Sequence, residues 1–585
     1  MKQLFLTFMV MAVATTTSAQ SQVTLKQDIS LNPIKVNQVG YYSQDEKIAT
    51  IEPNGMAKTL IITDQKGKTV WKGTPTAIKK SPFANVTRQE VNFTKLTTPG
   101  NYTLKAGNYQ QAFTISAHPY QEVLIAAIKA FYLQRSGMEI EKKYAGQFAR
   151  PAAHMDTLVK VHPSAASPGR EAGSVISSPK GWYDAGDYNK YIVNSSFTIG
   201  LMLQSYALNK DYFNTIKVNI PNHSTNIPDL LEEIMYNLEW MLTMQDPSDG
   251  GVYHKLTTPN FEGFVMPKNC HQTRYVVQKS TQATLDFAAT MAMAARTYSP
   301  YPQYKTFCQQ AKQAAERAYA WAIKNPTLYY NQDAINKIFS PAINTGTYGD
   351  DQAEDEFFWA ATELYITTGE KAYLEQAKQF APDNFTVPTW GEVAGLGIME
   401  WFNQELTDSP KAKDFDISKF KESLKTQCDD DIKALSASSF HSVFGNKESD
   451  FVWGSNSEKC TGRGIAQMYE YALSHQDRRY KEAALSTIDY LFGRNATGYC
   501  FLTGFGTQQV MHPHHRISAA DGIQSPLPGL LAGGPNAGKQ DAANVPPYPS
   551  SSPDKAYQDH EGSYASNEIA INWNAYLVAL LGWMK

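Results

Sequence analysis

Cysteine is scarce in this 585-residue chain: Cys270, Cys308, Cys428, Cys460 and Cys500 are the five, an odd number with no CxxC pair. That excludes a disulfide framework and a zinc ribbon. Charge is thin as well, with 19% Asp, Glu, Lys and Arg, a net charge of −3 and no clustered basic patch. A polyanionic partner such as nucleic acid is not expected. Past the N-terminus no run of about 18 apolar residues occurs, which excludes a membrane-spanning helix from the mature chain. The hydrophobic share of 42% excludes a disordered chain. What is plentiful is aromatic surface, 12% of the residues with 33 Tyr and 10 Trp. Such rings suit a large core, and they equally suit a carbohydrate groove, where they stack on the C–H faces of sugars.

The opening MKQLFLTFMVMAVATTTSAQ has a basic residue, an apolar run and small residues ending at Ala19. Residues 1–19 read as a signal peptide, with no lipid-accepting cysteine behind the apolar run. A secreted or periplasmic protein is expected. The length calls for more than one domain. Residues 33–117 hold five to seven short alternating segments, such as KIATIEP and QQAFTIS, separated by turns like Asp64-Gln65-Lys66-Gly67. They predict an immunoglobulin-like β-sandwich in a supporting role. From residue 118 to 585 the period changes to that of helices. In DLLEEIMYNLEWMLTMQ, Leu231, Ile234, Met235, Leu238, Met241 and Leu242 share one stripe. About twelve such stretches predict antiparallel pairs closing into an α/α barrel of six hairpins. The long connections 138–180, 247–279, 326–350 and 494–563 would build a cleft over one end.

Three clusters carry chemistry. In GWYDAGDYNKYIV, Asp184 and Asp187 sit three residues apart among aromatics. Like charges that close raise each other's pKa. One Asp serves as an ordinary helix cap. Two can also grip one water, from which one of them takes a proton. In YQDHEGSYASNEIAINWNA, Asp559, Glu561 and Glu568 lie close together, with Glu568 expected at the start of the last helix. There the helix dipole would favour a plain carboxylate, whereas a general acid needs burial and negative neighbours. In TGFGTQQVMHPHHRISAADG, His512, His514, His515 and Arg516 crowd one loop. HPHHR lacks zincin spacing. Its side chains suit either hydrogen bonds to sugar hydroxyls or a structural loop network.

Together the three clusters resemble glycoside hydrolase family 9, the inverting cellulases and related β-glucanases. The C-terminal signature is read by Tyr557, Asp559, Tyr564, Glu568, Ala570, Asn574 and Ala575. The DAGD element is followed by Lys190-Tyr191, and the His signature by Leu502, Thr503, Gly506, Pro513, His514 and Arg516. Cys500 and Gln508 depart from the usual pattern. VNQVGYY resembles the subgroup with an N-terminal immunoglobulin-like module. The resemblance implies Asp187 as general base, Asp184 as its helper in holding water and Glu568 as general acid, in a single displacement with inversion. It implies His514, Arg516 and Asp559 as groups that position substrate or tune the acid. Trp182, Tyr183, Trp390 and Trp453 are the candidates for sugar stacking. No cofactor is required for the chemistry. Calcium is expected at Asp355 and Glu356, where acidic oxygens precede a helix. Ala153-His154 stands where relatives carry the Cys-His of a zinc site, which puts zinc in doubt. The implied substrate is a β-glucan: cellulose, mixed-linkage glucan, xyloglucan or glucomannan. A monomeric endo-β-1,4-glucanase is the leading expectation. The alternatives are an exo-acting β-glucosidase or glucosaminidase and a non-catalytic glycan-binding protein.

Overall fold

The computed structural model describes residues 32–53, 59–222 and 226–585; the signal segment 1–19 lies outside them. The first domain contains β1 (Ile34–Lys35), β2 (Tyr41–Tyr42), β3 (Ile48–Ile51), β4 (Leu60–Asp64), β5 (Thr69–Gly73), β6 (Lys79–Ser81), β7 (Val86–Asn92), β8 (Gly100–Ala106) and β9 (Tyr109–Ser116). Two sheets, β1-β3-β7-β6 and β2-β9-β8-β4-β5, face one another. Alternate residues such as Ile51, Ile62, Leu104 and Phe113 point inward to a common core, as the period of two requires. This is the expected sandwich. Two further two-residue strands, β1 and β2, come from the N-terminal stretch.

The second domain is built on α1 (Gln121–Leu133), α2 (Ile192–Leu208), α3 (Asp229–Thr243), α4 (Thr281–Thr297), α5 (Lys305–Lys324), α6 (Glu354–Thr368), α7 (Lys371–Gln379), α8 (Ala394–Leu406), α9 (Ser418–Ala437), α10 (Arg463–Leu473), α11 (Arg478–Leu491) and α12 (Ile571–Trp583). Every second helix touches the next but one, so that α2, α4, α6, α8, α10 and α12 form a closed ring with the others outside. Composition separates the two layers. Ring helices are apolar on all sides, as in INWNAYLVALLGW of α12, buried from Ile571 to Gly582. The outer helix α9 buries one stripe, with Phe420, Leu424 and Cys428.

Alternation makes the six ring helices parallel, and their N-termini share one end of the barrel. The loops that lead into them are therefore neighbours there. A five-stranded sheet that the helical period did not announce lies among these loops. It consists of β10 (Val159–Val161), β11 (Val175–Ile176), β12 (Lys190–Tyr191), β13 (Lys255–Thr257) and β14 (Tyr275–Val276), in the order β11-β10-β14-β13-β12. Strands this short carry too little alternation to be read from sequence.

The sandwich is bolted to the barrel through VNQVGYY. Gln38 N–H donates to the Phe492 carbonyl at 2.9 Å, and Asn37 Nδ2 donates to Asp489 Oδ1 at 2.7 Å. Arg494 Nη1 bridges Asp489 Oδ2 at 2.6 Å and the Ile48 carbonyl at 3.1 Å. His441 lies between Glu46, at 2.9 Å, and Glu90, at 3.1 Å. No helix among the described residues is long and apolar enough to cross a membrane.

Candidate active site

Two of the three chemical clusters, and one further long loop, lead into ring helices. The DAGD loop leads into α2, the 326–350 loop into α6 and the Glu568 segment into α12, so three distant stretches meet at the barrel mouth. Backbone contacts stitch them together. Ala185 pairs with Ala570, and His514 with Glu568, in isolated bridges. Arg516 N–H donates to the Gly186 carbonyl at 3.0 Å, and Ile571 N–H to that of Asp184 at 2.9 Å. Gly186 makes this approach feasible: a Cβ there would stand 2.1 Å from the His514 carbonyl oxygen.

Asp184 and Asp187 are 2% and 5% exposed, so neither is a solvated turn residue. Asp184 accepts from Asn194 Nδ2 at 2.8 Å and from the Tyr348 hydroxyl at 2.7 Å. Asp187 Oδ2 accepts from Asn189 Nδ2 at 2.6 Å and from the Tyr191 hydroxyl at 3.4 Å. Its Oδ1 has no protein donor among the described residues. Burial, then the charge of Asp187, pushes Asp184 up to about 8. Burial and the neighbouring carboxylate of Asp187 therefore favour the protonated form of Asp184.

Glu568 departs from expectation in its backbone. It is extended (φ −67°, ψ 161°) between the short helix Tyr564–Asn567 and α12. It is not a first-turn residue, because its own bridge to His514 and that of Ile569 to Ala532 require extended chain. The helix dipole argument falls with that. Burial, followed by the negative charge of Asp187, raises Glu568 well above the usual carboxylate range, with Arg516 opposing. The amide of Gly186 lies against its carboxyl. The Asp184–Asp187 loop and Glu568 thus face one another at the barrel mouth.

Asp559 fixes the histidine loop and does not reach the dyad. It accepts from Met511 N–H at 2.9 Å, His512 N–H at 2.7 Å and Asn567 Nδ2 at 3.2 Å, which ties that loop to the residue before Glu568. His514 Nδ1 is bonded to the Glu561 carbonyl at 2.6 Å. Burial lowers its pKa to about 4, which keeps the imidazole neutral. Arg516 donates to the Gly186 carbonyl at 2.9 Å and to that of Glu262 at 2.7 Å.

The four aromatic candidates divide. Trp182 is fully buried, donates to Glu233 at 2.9 Å and packs on Phe131. Tyr183, 1% exposed, bonds His154 at 2.8 Å. Both belong to the core beneath the loop and offer no face to a sugar, a correction to the stacking expectation. The half-buried Trp390 stands edge-on to Tyr348, the partner of Asp184. Trp453 is 46% exposed and leans on Tyr564.

Asp355 lies against Glu356, with Asp286 beside them, and burial and the charge of Asp355 raise the pKa of both neighbours. Asp355 Oδ2 accepts from Val393 N–H at 2.7 Å. Glu356 turns inward, and neither its carboxyl oxygens nor those of Asp286 find a hydrogen-bond partner. Among the described residues no three His, Cys, Asp or Glu side chains converge as a metal ligand set. At His154, Nδ1 is bonded to the Tyr183 hydroxyl at 2.8 Å.

Sequence reasoning missed the supports of the dyad. Lys255 on β13 sits opposite Tyr191 on β12. Its ammonium donates to Gln332, Thr345 and the Gly346 carbonyl at 2.6–3.0 Å. Burial lowers it to about 7, opposed by Asp187 and Asp184. Arg274 pairs with Asp156 at 3.0 Å and holds the Tyr188 carbonyl at 2.8 Å. Tyr348, at φ 46°, is strained to reach Asp184. Its only signal was its place between Gly346 and Gly349 in a long loop.

The sequence pattern of Glycosyl hydrolase family 9 matches residues 120–581, and that of a Cellulase N-terminal ig-like domain matches 30–111. A xyloglucan-specific endo-beta-1,4-glucanase of Bacteroides ovatus is 50% identical over 554 residues, 94% of this chain and 92% of the relative. Endoglucanase D of Acetivibrio thermocellus is 33% identical over 94% of this chain and 83% of its own. A solved Bacteroides ovatus GH9 structure superposes with a TM-score of 0.89 at 48% identity, over 94% of this chain and 98% of that one.

Proposed function

The chain belongs to glycosyl hydrolase family 9, with an immunoglobulin-like domain ahead of the catalytic barrel, and we propose that it is an exported, inverting endo-β-1,4-glucanase with xyloglucan as its preferred substrate. The observation that carries the reading is the meeting of Asp187 and a proton-retaining Glu568 across one site, from segments far apart in the chain. Glu568 protonates the departing glycosidic oxygen. A water held between Asp187 Oδ1 and the anomeric carbon is deprotonated by Asp187 as it attacks. The protonated Asp184, fixed by Asn194 and Tyr348, keeps the dyad to a single negative charge. Inversion needs room for that water, so the two carboxyls are expected roughly 6.5–9.5 Å apart. The 50% identity to a xyloglucan-specific relative supports the substrate preference.

Reducing-sugar release from xyloglucan, barley β-glucan, glucomannan and carboxymethylcellulose tests this, with proton NMR of the first-formed anomer. Retained configuration, or unchanged turnover in Glu568→Ala and Asp187→Ala, would falsify it. Release of single sugars from chain ends would favour the exo-acting alternative. For calcium, the proposal keeps Asp355 and Glu356 and adds Asp286, because the buried oxygens of Glu356 and Asp286 have no hydrogen-bond partner and need protons or a cation. Chelator is expected to lower Tm, with recovery on adding Ca²⁺, and an unchanged melting curve removes calcium from the account.

A further inference from the structure

One stretch of the cleft rim carries a concentrated load of exposed apolar surface. Phe261, Phe264 and Val265 are 46%, 41% and 37% exposed, all on the loop from β13 to β14. Clustered apolar side chains left in water mark a surface that something covers. The loop is pinned from two sides. Arg516 Nε donates to the Glu262 carbonyl at 2.7 Å, and the Tyr188 hydroxyl donates to the Val265 carbonyl at 2.7 Å. The Arg516 guanidinium lies 5.4 Å from the Phe261 ring centre and 5.6 Å from that of Phe264. Phe264 meets His514 edge-on at 5.3 Å, and His514 is the bridge partner of Glu568. Roofing Arg516, itself 8% exposed, accounts for the inner ring faces and leaves the outer faces in water.

We propose that Phe261 and Phe264 form a stacking platform for a sugar ring of the β-glucan chain on the leaving-group side of the cleft. The proposal rests on the reading of the cleft as a glucan-cleaving site. A β-linked pyranose has two faces of axial C–H groups, which an aromatic ring covers without needing a hydrogen bond. The side follows from Phe264, which meets His514 edge-on, and the His514 backbone pairs with Glu568, the donor to the departing oxygen; Arg516 and Tyr188 tie the same loop to the Asp184–Asp187 segment. Contacts made there, remote from the bond that breaks, hold the chain in register for the proton transfer.

The test uses the full chain with Phe264→Ala and the Phe261→Ala/Phe264→Ala double variant. The ratio of kcat/KM on a long glucan oligosaccharide to that on an aryl β-cellobioside, whose leaving group is one small ring, is expected to fall about tenfold. Phe264→Trp should restore it. An unchanged ratio, including equal losses on both substrates from a collapsed loop, overturns the platform. Calorimetric binding of the oligosaccharide to Glu568→Gln protein supplies a readout without turnover and should weaken by a similar factor when Phe264 is removed. If the unaltered chain cleaves no β-glucan while binding still depends on Phe264, the hydrolase reading falls and the platform stands. If cleavage proceeds and neither measurement responds to the rings, the platform falls and the hydrolase reading stands.

Discussion

The seam between sandwich and barrel and the mouth of the barrel both bury charge, with opposite arrangements. At the seam each charge meets its complement. Burial pulls His441 down, yet Glu46 and Glu90 outweigh it and hold the imidazole above its ordinary value. Burial would raise Glu90, but His441 and Lys79 bring it to about 2. At the mouth like meets like: Asp184, Asp187 and Glu568 face one another, and burial with mutual repulsion drives Asp184 and Glu568 upward. Paired burial holds two domains in place. Repulsive burial adds nothing to stability, and it leaves acids protonated where a proton must be given away.

That contrast can be broken from either side. The largest effect belongs to the mouth. Glu568→Gln and Asp187→Asn are expected to lower kcat by about 10³-fold while leaving Tm unchanged or higher, because Asp187→Asn removes a buried charge and Glu568→Gln replaces one neutral group by another; a fall in both quantities would put these residues in the scaffold. Next comes Arg494→Ala at the seam. It strands Asp489, and breaking a buried pair costs about 3–5 kcal/mol. Urea denaturation should show this loss, with kcat per folded molecule near that of the parent.

His441→Gln is a smaller and pH-dependent change. Because the folded pKa of His441 is raised, its contribution is complete below the unfolded value near 6.5 and is lost as pH rises through the folded one. Glu90, depressed, contributes above its unfolded value near 4.3 and loses that as pH falls toward 2. The variant should therefore be weaker by about 1–3 kcal/mol between these limits, with the gap closing in alkaline buffer. A gap independent of pH would mean lost packing alone. The gentlest probe is Lys255→Met. Lys255 lowers Asp184, so its removal keeps the Asp184 proton to higher pH and moves the alkaline limb of the pH–rate profile upward; an unmoved profile would mean that Lys255 acts through packing alone.

Legibility in the sequence followed locality. The twelve long helices lie where the apolar period placed them, since a ring helix such as α12 is apolar throughout and an outer one such as α9 is striped. The DAGD, histidine and C-terminal motifs marked the residues that meet at the barrel mouth. Trp182 and Tyr183 were misjudged because a ring beside a carboxylate reads the same whether it faces a cleft or the core. Lys255, Arg274 and Tyr348 went unread because each supports the dyad from a different loop, with no spacing to betray it.

Sequence alone determined the element types, the division into a sandwich and a helical barrel, and the acids on offer, because periodicity and composition act over a few neighbouring residues. Only the tertiary structure decided which acid keeps its proton, which aromatic faces water and which charges are paired. Desolvation and Coulomb interaction depend on what folding brings within a few ångströms, and that is settled by the ring of helix N-termini.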